Sequence, residues 1–455
     1  MSSEMFRYDE RMVDPIFDYC RQRLAYDPVT LDFSGEKEPL DAALAGLMSP
    51  EGNDPDKVLK VFVDHLAPAV ISCDSPRFLA FIPAAPTRAS MLFDMIVSCS
   101  SLQGSSWLEA AGAVAAENQA LRTLADLAGL PAEAGGVFVS GGSAANLSAL
   151  AVARDTARER GGWRRRRLRV AVSDQTHSSI RNSLRMLDMA EFVVPTTDYR
   201  MTGENLRAAL ARDRHRADVV AVAATAGTTN AGIVDDLAGI ADVAAERRLW
   251  FHVDGAYGGA ALLAPGARHL FTGIERADSF VVDPHKWLFA PFDCAALLYR
   301  HPALAKAVHT QQASYLDVFH MGTGWNPSDY AYHLTRRARG LALWFSLAVH
   351  GIDAYSRAVE AALAMAQQAA ARIEAAADLE LVRPPGLSIV LFRRLGWEPA
   401  DYHRWSRALL ASQVGFVTPT SWQGETVARF AFLHPDTTLE MVDEILATMV
   451  SVSPS

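Results

Sequence analysis

The chain has 455 residues, of which 50% are hydrophobic and 21% are charged, a composition typical of a soluble globular protein with a large core. At roughly 150 residues per domain, this length predicts two or three structural units. The formal net charge of -9 argues against broad binding to nucleic acids or to anionic membranes.

The cysteines and the N-terminus bear on the cellular compartment. Four cysteines show no paired motif spacing, which favours a reducing compartment and argues against a zinc site. The first residues contain no apolar signal segment, and no apolar run approaches the roughly 18 residues of a membrane span. We therefore expect a cytoplasmic protein with no metal, nucleic-acid or membrane partner. The basic run at residues 164–167 is interpreted as a solvated connection between a helix and a strand.

The N-terminal region predicts helices at residues 9–24 and 56–66. The first pattern has no obvious apolar partner nearby, so an arm packed on another subunit and a helix on its own domain both remain open. An aromatic and proline-rich loop follows at residues 75–83, where core packing with turn prolines is the local interpretation. Residues 108–130 then predict a long helix rich in alanine and leucine.

Residues 135–146 (GGVFVSGGSAAN) predict a short strand, a turn of small residues and the start of a helix at Ala144. Backbone amides at such a helix start can hold a phosphate, and glycines let the anion approach. Taken alone the signal is weak, because many helices begin after Gly-Ser turns.

From residue 169 onward, strand-like and helical patterns alternate. Alternation of this kind predicts βαβ units and a mostly parallel sheet that binds ligands at the carboxyl ends of its strands. The predicted strands are residues 169–172, 192–195, 219–225, 249–253, 279–282 and 295–299, with helices at residues 202–212 and 237–247. The polar residues at or just past strand ends are His177, Thr225, Asp254 and Lys286.

Lys286 directly follows an apolar strand and stands between two aromatic rings. A lysine in such a place can titrate low and act as a nucleophilic amine that forms a Schiff base with a carbonyl. For this stretch alone, a strand-end lysine that points to water is equally open.

Asp254 ends a largely apolar strand, where a carboxylate is costly unless it meets a cation. A protonated pyridine nitrogen is such a cation, and a helix N-cap is the alternative role for this aspartate. His177 is either a ring-stacking residue or an ordinary core histidine. A lysine, an acid and an anion site together are what pyridoxal phosphate requires. Rossmann and P-loop glycine fingerprints do not occur at the required spacing.

Five motifs in order resemble the pyridoxal-phosphate-dependent group II amino-acid decarboxylases, and most of all the aromatic-L-amino-acid decarboxylase branch. They are residues 140–143 (SGGS), 173–179 (SDQTHSS), 225–229 (TAGTT), 252–259 (HVDGAYGG) and 283–294 (DPHKWLFAPFDC). The resemblance runs from about residue 70 to the C-terminus. It implies a fold-type-I α/β protein, usually a homodimer with active sites at the subunit interface. The implied parts are a helical arm (residues 1–75), a large cofactor domain (76–345) and a small C-terminal α/β domain (346–455).

The resemblance also implies roles for individual residues. Lys286 would hold the cofactor, Asp254 would pair with the pyridine nitrogen, and His177 and Ala256 would contact the two faces of the ring. His285 would lie beside the lysine linkage.

Four further residues are implied to line the cofactor site, namely Gly142, Ser143, Thr225 and Asp283. At Asp283 the animal decarboxylases carry an asparagine near the phosphate. A carboxylate at this position would repel a phosphate dianion.

The turn-rich segment at residues 322–330 predicts a mobile loop. In the family, a tyrosine on such a loop reaches the partner subunit and protonates the substrate carbon after carbon dioxide has left. Tyr330 is the implied donor, with Tyr332 close by, and a tyrosine that only packs the loop is the alternative. Arg429 resembles the family's strand arginine, which senses a substrate or cofactor anion, and a surface arginine is equally open.

After a helical stretch at residues 343–374, the C-terminal part predicts strands at residues 387–392, 415–419 and 427–433. A helix at residues 439–450 completes a small α/β layer.

An aromatic-lined substrate pocket is predicted from Phe81, Pro83, Trp107 and Phe292. The expected reaction is decarboxylation of tryptophan, phenylalanine, tyrosine or a hydroxylated relative to the amine and carbon dioxide. The alternatives are an aromatic acetaldehyde synthase on the same scaffold and a decarboxylase of a non-aromatic amino acid. An aminotransferase and a non-catalytic protein that binds pyridoxal phosphate are more distant alternatives.

Overall fold

The computed structural model describes residues 4–82, 85–161, 167–320 and 324–450. Three short helices open the chain: α1 (Glu10–Leu24), α2 (Lys37–Leu44) and α3 (Pro55–Val61). The side chains of Asp9 and Asp54 accept backbone N–H groups at the starts of α1 and α3, which satisfies donors that have no partner within the helix. A wider helical turn, Phe62–Leu66, continues α3, so both helices predicted in this region are present.

A seven-stranded sheet forms the centre of the larger part of the chain. Its strands are β1 (Gly135–Val139), β2 (Arg169–Val172), β3 (Ala190–Val193), β4 (Val219–Thr225), β5 (Trp250–Asp254), β6 (Ser279–Val282) and β7 (Ala295–Tyr299). They lie in the order β1-β7-β6-β5-β4-β2-β3, and β7 runs antiparallel to both of its neighbours. The other pairs are parallel, which confirms the predicted α/β fold with a mostly parallel sheet.

Helices pack against this sheet and bury its strands. Every residue of β4 and of β5 is buried, as expected for parallel strands that are covered on both faces. The helices of this part are α4 (Arg88–Cys99), α5 (Trp107–Leu127), α6 (Gly142–Gly161), α7 (Ser178–Met186), α8 (Gly203–Arg212), α9 (Leu237–Arg247), α10 (Pro302–His309) and α11 (Asp317–His320).

A second, four-stranded antiparallel sheet follows in the C-terminal part. Its strands lie in the order β10-β11-β9-β8, and they are β8 (Leu379–Leu381), β9 (Ile389–Arg394), β10 (Thr420–Trp422) and β11 (Glu425–Ala431). The helices are α12 (Gly340–His350), α13 (Ile352–Ala375), α14 (Pro399–Ala411) and α15 (Leu439–Val450). Within the described ranges, no helix is long and apolar enough to cross a membrane.

The prediction of a strand at residues 415–419 is wrong. Phe416 forms only an isolated bridge with Phe78, in which its N–H donates to Arg77 O at 2.9 Å and its O accepts from Leu79 N at 2.9 Å. The two phenylalanine rings pack edge to face with centroids 5.0 Å apart. The apolar run is therefore buried against the segment that precedes α4, instead of extending the C-terminal sheet.

The carboxyl ends of neighbouring strands bring distant residues together at one edge of the large sheet. Thr225, at the end of β4, stands in register with Asp254, at the end of β5, and Asp254 stands in register with Val281 of β6. Asp283 follows β6 by one residue. The turn after β1 opens α6 close to these residues, because a Cβ atom on Gly142 would lie 3.0 Å from Asp283 Oδ2.

A buried ion pair joins α5 to the segment that leads into α12. Both guanidinium NH groups of Arg336 donate to the carboxylate of Glu117, each at 2.7 Å, and the two side chains are 0% and 2% exposed. Glu117 also accepts the N–H of Gly340 at 2.9 Å, and Arg336 also donates to the carbonyl oxygen of Phe138. Both side chains are buried, and each makes several hydrogen bonds. Removal of either side chain therefore leaves the charge of the other buried without compensation.

We predict that Glu117→Gln lowers the free energy of unfolding by about 3–5 kcal/mol, since the guanidinium stays buried without a counter-charge. Urea denaturation followed by circular dichroism measures the change. Glu159→Gln, at an exposed position on α6, is the matched control and should cost less than about 0.5 kcal/mol. Equal losses in the two variants would contradict this account of the pair.

Candidate active site

A cavity of about 320 Å³ lies at the carboxyl edge of the large sheet. All nine residues predicted to bind the cofactor line this cavity: Gly142, Ser143, His177, Thr225, Asp254, Ala256, Asp283, His285 and Lys286. The structure therefore brings together residues from five separate motifs. Their individual roles remain predictions.

Lys286 lies in the cavity wall with its Nζ 2.9 Å from Asp283 Oδ2. Burial, the largest single influence, lowers the pKa of Lys286, but the nearby carboxylates of Asp283 and Asp254 outweigh it and raise the pKa above its ordinary value. The sequence led us to expect a lowered pKa for Lys286, and the two carboxylates give the opposite direction. The sequence pattern suggested burial but did not show that a carboxylate three residues earlier turns back onto the amine.

Asp254 is 6% exposed, and both of its carboxylate oxygens are hydrogen-bonded. Oδ1 accepts the N–H of Ala256 at 3.1 Å, and Oδ2 accepts Nδ2 of Asn146 at 2.9 Å. These bonds fix the direction of the carboxylate at the cavity wall and stabilise its charge.

Asn146 is the centre of a buried hydrogen-bond network. Its Nδ2 donates one hydrogen to Asp254 and the other to Ser179 Oγ at 3.0 Å, so its Oδ1 must accept the hydrogen of His252 Nε2 at 2.8 Å. Ser179 in turn directs its N–H and its hydroxyl group to Nδ1 of His177, at 3.2 Å and 2.8 Å. His177 Nδ1 is thus an acceptor, which leaves Nε2 as the ring nitrogen that can donate a hydrogen bond.

The hydrogen-bond network continues through His252 on β5 to Ser279 on β6. Nδ1 of this histidine lies 2.8 Å from Ser279 Oγ, which also accepts the indole N–H of Trp250 at 2.8 Å. Burial lowers the pKa of His252 to about 4, in agreement with a neutral ring that accepts at Nδ1. Every polar group in this chain of contacts therefore has a defined donor or acceptor role.

Sequence reasoning missed Asn146 and His252, although both follow simple spacings. Asn146 lies four residues after Gly142, one turn along α6 and on the same helix face. His252 lies two residues before Asp254, on the same face of β5. A third missed residue is Asp235, whose carboxylate accepts the backbone N–H groups of Thr225 and Met201, each at 2.8 Å. Burial raises the pKa of Asp235 to about 7.

Among the predicted substrate residues that the structure describes, Phe81, Trp107 and Phe292 do not line this cavity. The ring of Phe292 is half exposed and stands 4.9 Å from the ring of His285, at the cavity side. Phe81 and Trp107 are also exposed. Pro83 lies outside the described residues.

Arg429, on β11, is buried, so the alternative of a surface arginine is wrong. Its guanidinium donates to the carbonyl oxygens of Phe81 at 2.7 Å and of Thr229 at 2.5 Å. Thr229 lines the cavity, so Arg429 holds the loop that contains Phe81 next to the segment at residues 225–229.

Tyr330 is buried within its own chain and does not line the cavity. Its ring stacks on Trp325 with centroids 3.9 Å apart, and the indole N–H of Trp325 donates to Gly136 O on β1. Burial raises the pKa of the Tyr330 hydroxyl group. Tyr332, two residues later, is 53% exposed.

The cavity fits pyridoxal phosphate by the chemistry of its walls. It combines a lysine amine, a hydrogen-bonded carboxylate and the start of a helix with small residues. Two buried atoms of its lining residues, Thr225 Oγ1 and Asp283 Oδ1, have no hydrogen-bond partner in the protein. A polar ligand in the cavity would supply the partners that these two atoms lack.

Solved structures define the class of this fold. The structure of Oryza sativa TDC with PLP and tryptamine superposes with a TM-score of 0.88 and 27% identity, over 96% of this chain and 97% of that chain. The chain thus has the architecture of an enzyme that was solved with pyridoxal phosphate.

Residues 40–395 match the family model of the pyridoxal-dependent decarboxylase conserved domain, and the chain belongs to this family. It is a carboxy-lyase whose cofactor is pyridoxal 5′-phosphate. An aromatic-L-amino-acid decarboxylase of Bacillus atrophaeus is 31% identical over 99% of this chain and 97% of its own length. An L-2,4-diaminobutyrate decarboxylase of Rhizobium meliloti (strain 1021) is 32% identical over 82% of this chain and 76% of its own length.

We predict that Asn146→Asp weakens binding of pyridoxal phosphate about tenfold or more. The change removes a charge-assisted hydrogen bond to Asp254, worth about 1.5–3 kcal/mol, and sets two carboxylates side by side. Fluorescence titration of the cofactor-free protein measures the dissociation constant. Asn182→Asp, which adds the same charge at an exposed position on α7, should bind the cofactor like the unmodified protein. An unchanged affinity in Asn146→Asp contradicts the proposed role of the network.

Proposed function

We propose that this decarboxylase acts on an aromatic L-amino acid and releases the corresponding amine and carbon dioxide. The observation that carries the proposal is the convergence of Lys286, Asp254 and His177 on one cavity, with the ring of Phe292 beside it. The similarity to an aromatic-L-amino-acid decarboxylase along nearly the whole chain supports the same substrate class.

Each of the converging residues has a distinct task in this proposal. When bound, pyridoxal phosphate supplies a protonated ring that accepts the electrons released at the α-carbon as carbon dioxide leaves. Lys286 would hold the carbonyl carbon of the cofactor, and Asp254 would keep the ring nitrogen protonated. His177 and Ala256 would cover the two faces of the ring. His285, whose Nδ1 accepts the N–H of Cys294 at 3.1 Å, is held beside Lys286.

Substrate choice is proposed to depend on the aromatic residues predicted from the sequence, of which Phe292 lies beside His285 of the cavity wall. Phe81, Trp107 and Phe292 expose large apolar surfaces, which suit an indole or phenyl side chain. Pro83 is included on the basis of its sequence position. Among the described residues that line the cavity, none is an arginine, which disfavours acidic substrates.

We further propose a homodimer with its active sites at the subunit interface. Exposed apolar residues on the N-terminal helices, among them Met12, Ile16 and Phe17 on α1, support a second subunit that packs against this arm. The division into an arm (1–75), a cofactor domain (76–345) and a small domain (346–455) is part of the same proposal. A cytoplasmic location is supported by the four cysteines, which form no disulfide.

We predict that Lys286→Ala abolishes multiple-turnover formation of amine, because no other lysine is found among the described residues that line the cavity. Borohydride reduction of the loaded protein, followed by peptide mass spectrometry, should locate the cofactor on Lys286. Lys57→Ala, on the exposed face of α3, is the control and should turn over normally. Retained turnover in Lys286→Ala, or a cofactor found on another lysine, contradicts the assignment.

The loop tyrosines are distinguished by a pair of variants. Loss of the proton donor should shift the products from amine toward aldehyde, because the unprotonated carbon can react with oxygen. Tyr330→Phe tests the donor implied by the sequence, and Tyr332→Phe tests the exposed neighbour. Product ratios are measured by mass spectrometry with oxygen present. If both variants make only amine, the donor is another group.

A further inference from the structure

Asp283 is a buried carboxylate in the cavity wall and is only 1% exposed. Its Oδ2 lies 2.9 Å from Lys286 Nζ and accepts the N–H of Gly142 at 3.2 Å. Its Oδ1 is buried and has no hydrogen-bond partner in the protein. A carboxylate oxygen in this state is costly unless a ligand donates a hydrogen to it.

The start of α6 is where the phosphate group of the cofactor is expected. This helix has 20 residues, and its dipole and first amides attract an anion. Gly142 and Ser143 line the cavity at the same point. Because the Gly142 amide already donates to Asp283, a phosphate bound at this helix start lies against the carboxylate of Asp283.

The charged side chains that line the cavity do not neutralise a phosphate group bound at the start of α6. Among the described residues that line it, Lys286 is the only lysine or arginine, whereas Asp254 and Asp283 are both carboxylates. A phosphate monoester adds a charge of about -1.5 to -2 at pH 7.

The histidine closest to Asp283 does not supply the missing positive charge. Nε2 of His285 lies 3.7 Å from Asp283 Oδ2, but burial lowers the pKa of His285 despite the attraction of that carboxylate. Cys294, which packs behind the same turn, stays neutral because burial raises the pKa of its thiol.

We propose that the phosphate group of the cofactor binds together with one proton, which is shared between Asp283 Oδ1 and a phosphate oxygen. The proton comes from solvent, and no other bond forms or breaks. It converts the repulsion of two anions into a hydrogen bond, as happens when two neighbouring carboxylates share a proton. An asparagine at this position donates from its amide and requires no proton. The inference rests on the identity of the cofactor and not on the proposed substrate.

The test counts protons taken up on binding. The probe is 4′-deoxypyridoxine 5′-phosphate, which lacks the aldehyde and so cannot react with Lys286. Isothermal titration calorimetry between pH 7 and 8, in buffers of different ionisation enthalpy, should show about one more proton bound by the unmodified protein than by Asp283→Asn. Because the proton is taken up, the affinity of the unmodified protein should fall more steeply with rising pH, by up to about tenfold per pH unit.

Two controls distinguish the proton proposed at Asp283 from protons taken up elsewhere on binding. The unphosphorylated compound, 4′-deoxypyridoxine, has the same ring and reports any proton taken up at the ring nitrogen. Asp242→Asn, which removes a surface carboxylate paired with Arg276 on the same domain, should bind like the unmodified protein.

Equal proton uptake by the unmodified protein and Asp283→Asn overturns the proposal. If Asp283→Asn does not fold, equal uptake of the two compounds by the unmodified protein overturns it instead. No turnover is measured, so a wrong substrate assignment leaves this result unaffected.

Discussion

The site depends on the hydrogen bonds that hold one buried carboxylate, Asp254, in place. A buried charge is tolerated only when hydrogen bonds satisfy its oxygens, and here Asn146 and the backbone of Ala256 do so. Asn146 is itself held by His252 and holds Ser179. Because these residues belong to α6, β5 and α7, the three elements are fixed relative to one another. One network therefore positions the groups proposed to contact the ring nitrogen and the ring face of the cofactor.

The C-terminal sheet contributes to the same site through Arg429 on β11. Burial lowers the pKa of this arginine to about 10, and its guanidinium is bound by two carbonyl oxygens instead of a carboxylate. One carbonyl belongs to Phe81 and the other to Thr229, beside the cavity. Phe81, one of the residues proposed to choose the substrate, is thus held by the C-terminal sheet, while the residues proposed to bind the cofactor come from the large sheet and the elements around it.

Much of this fold was predictable from local patterns, because strands such as β4 and β6 are continuous apolar runs with clear ends. Four of the residues proposed to bind the cofactor, His177, Thr225, Asp254 and Lys286, were predictable from their places at strand ends, since the strand ends of a parallel sheet meet at one edge. The others were implied by the resemblance to the decarboxylase family. Contacts that depend on long-range polar pairing were not, such as the bond between Asn146 and His252. The raised pKa of Lys286 was missed for a related reason, because it depends on how the turn after β6 folds back.

The most direct test of the account is a product assay on the purified protein loaded with pyridoxal phosphate. Each proteinogenic amino acid and the hydroxylated aromatic ones are supplied with oxygen present, and products are identified by mass spectrometry. The account predicts an amine from an aromatic substrate without hydrogen peroxide. Aldehyde, ammonia and peroxide would instead identify an aldehyde synthase, and amine from only a non-aromatic substrate would contradict the proposed pocket.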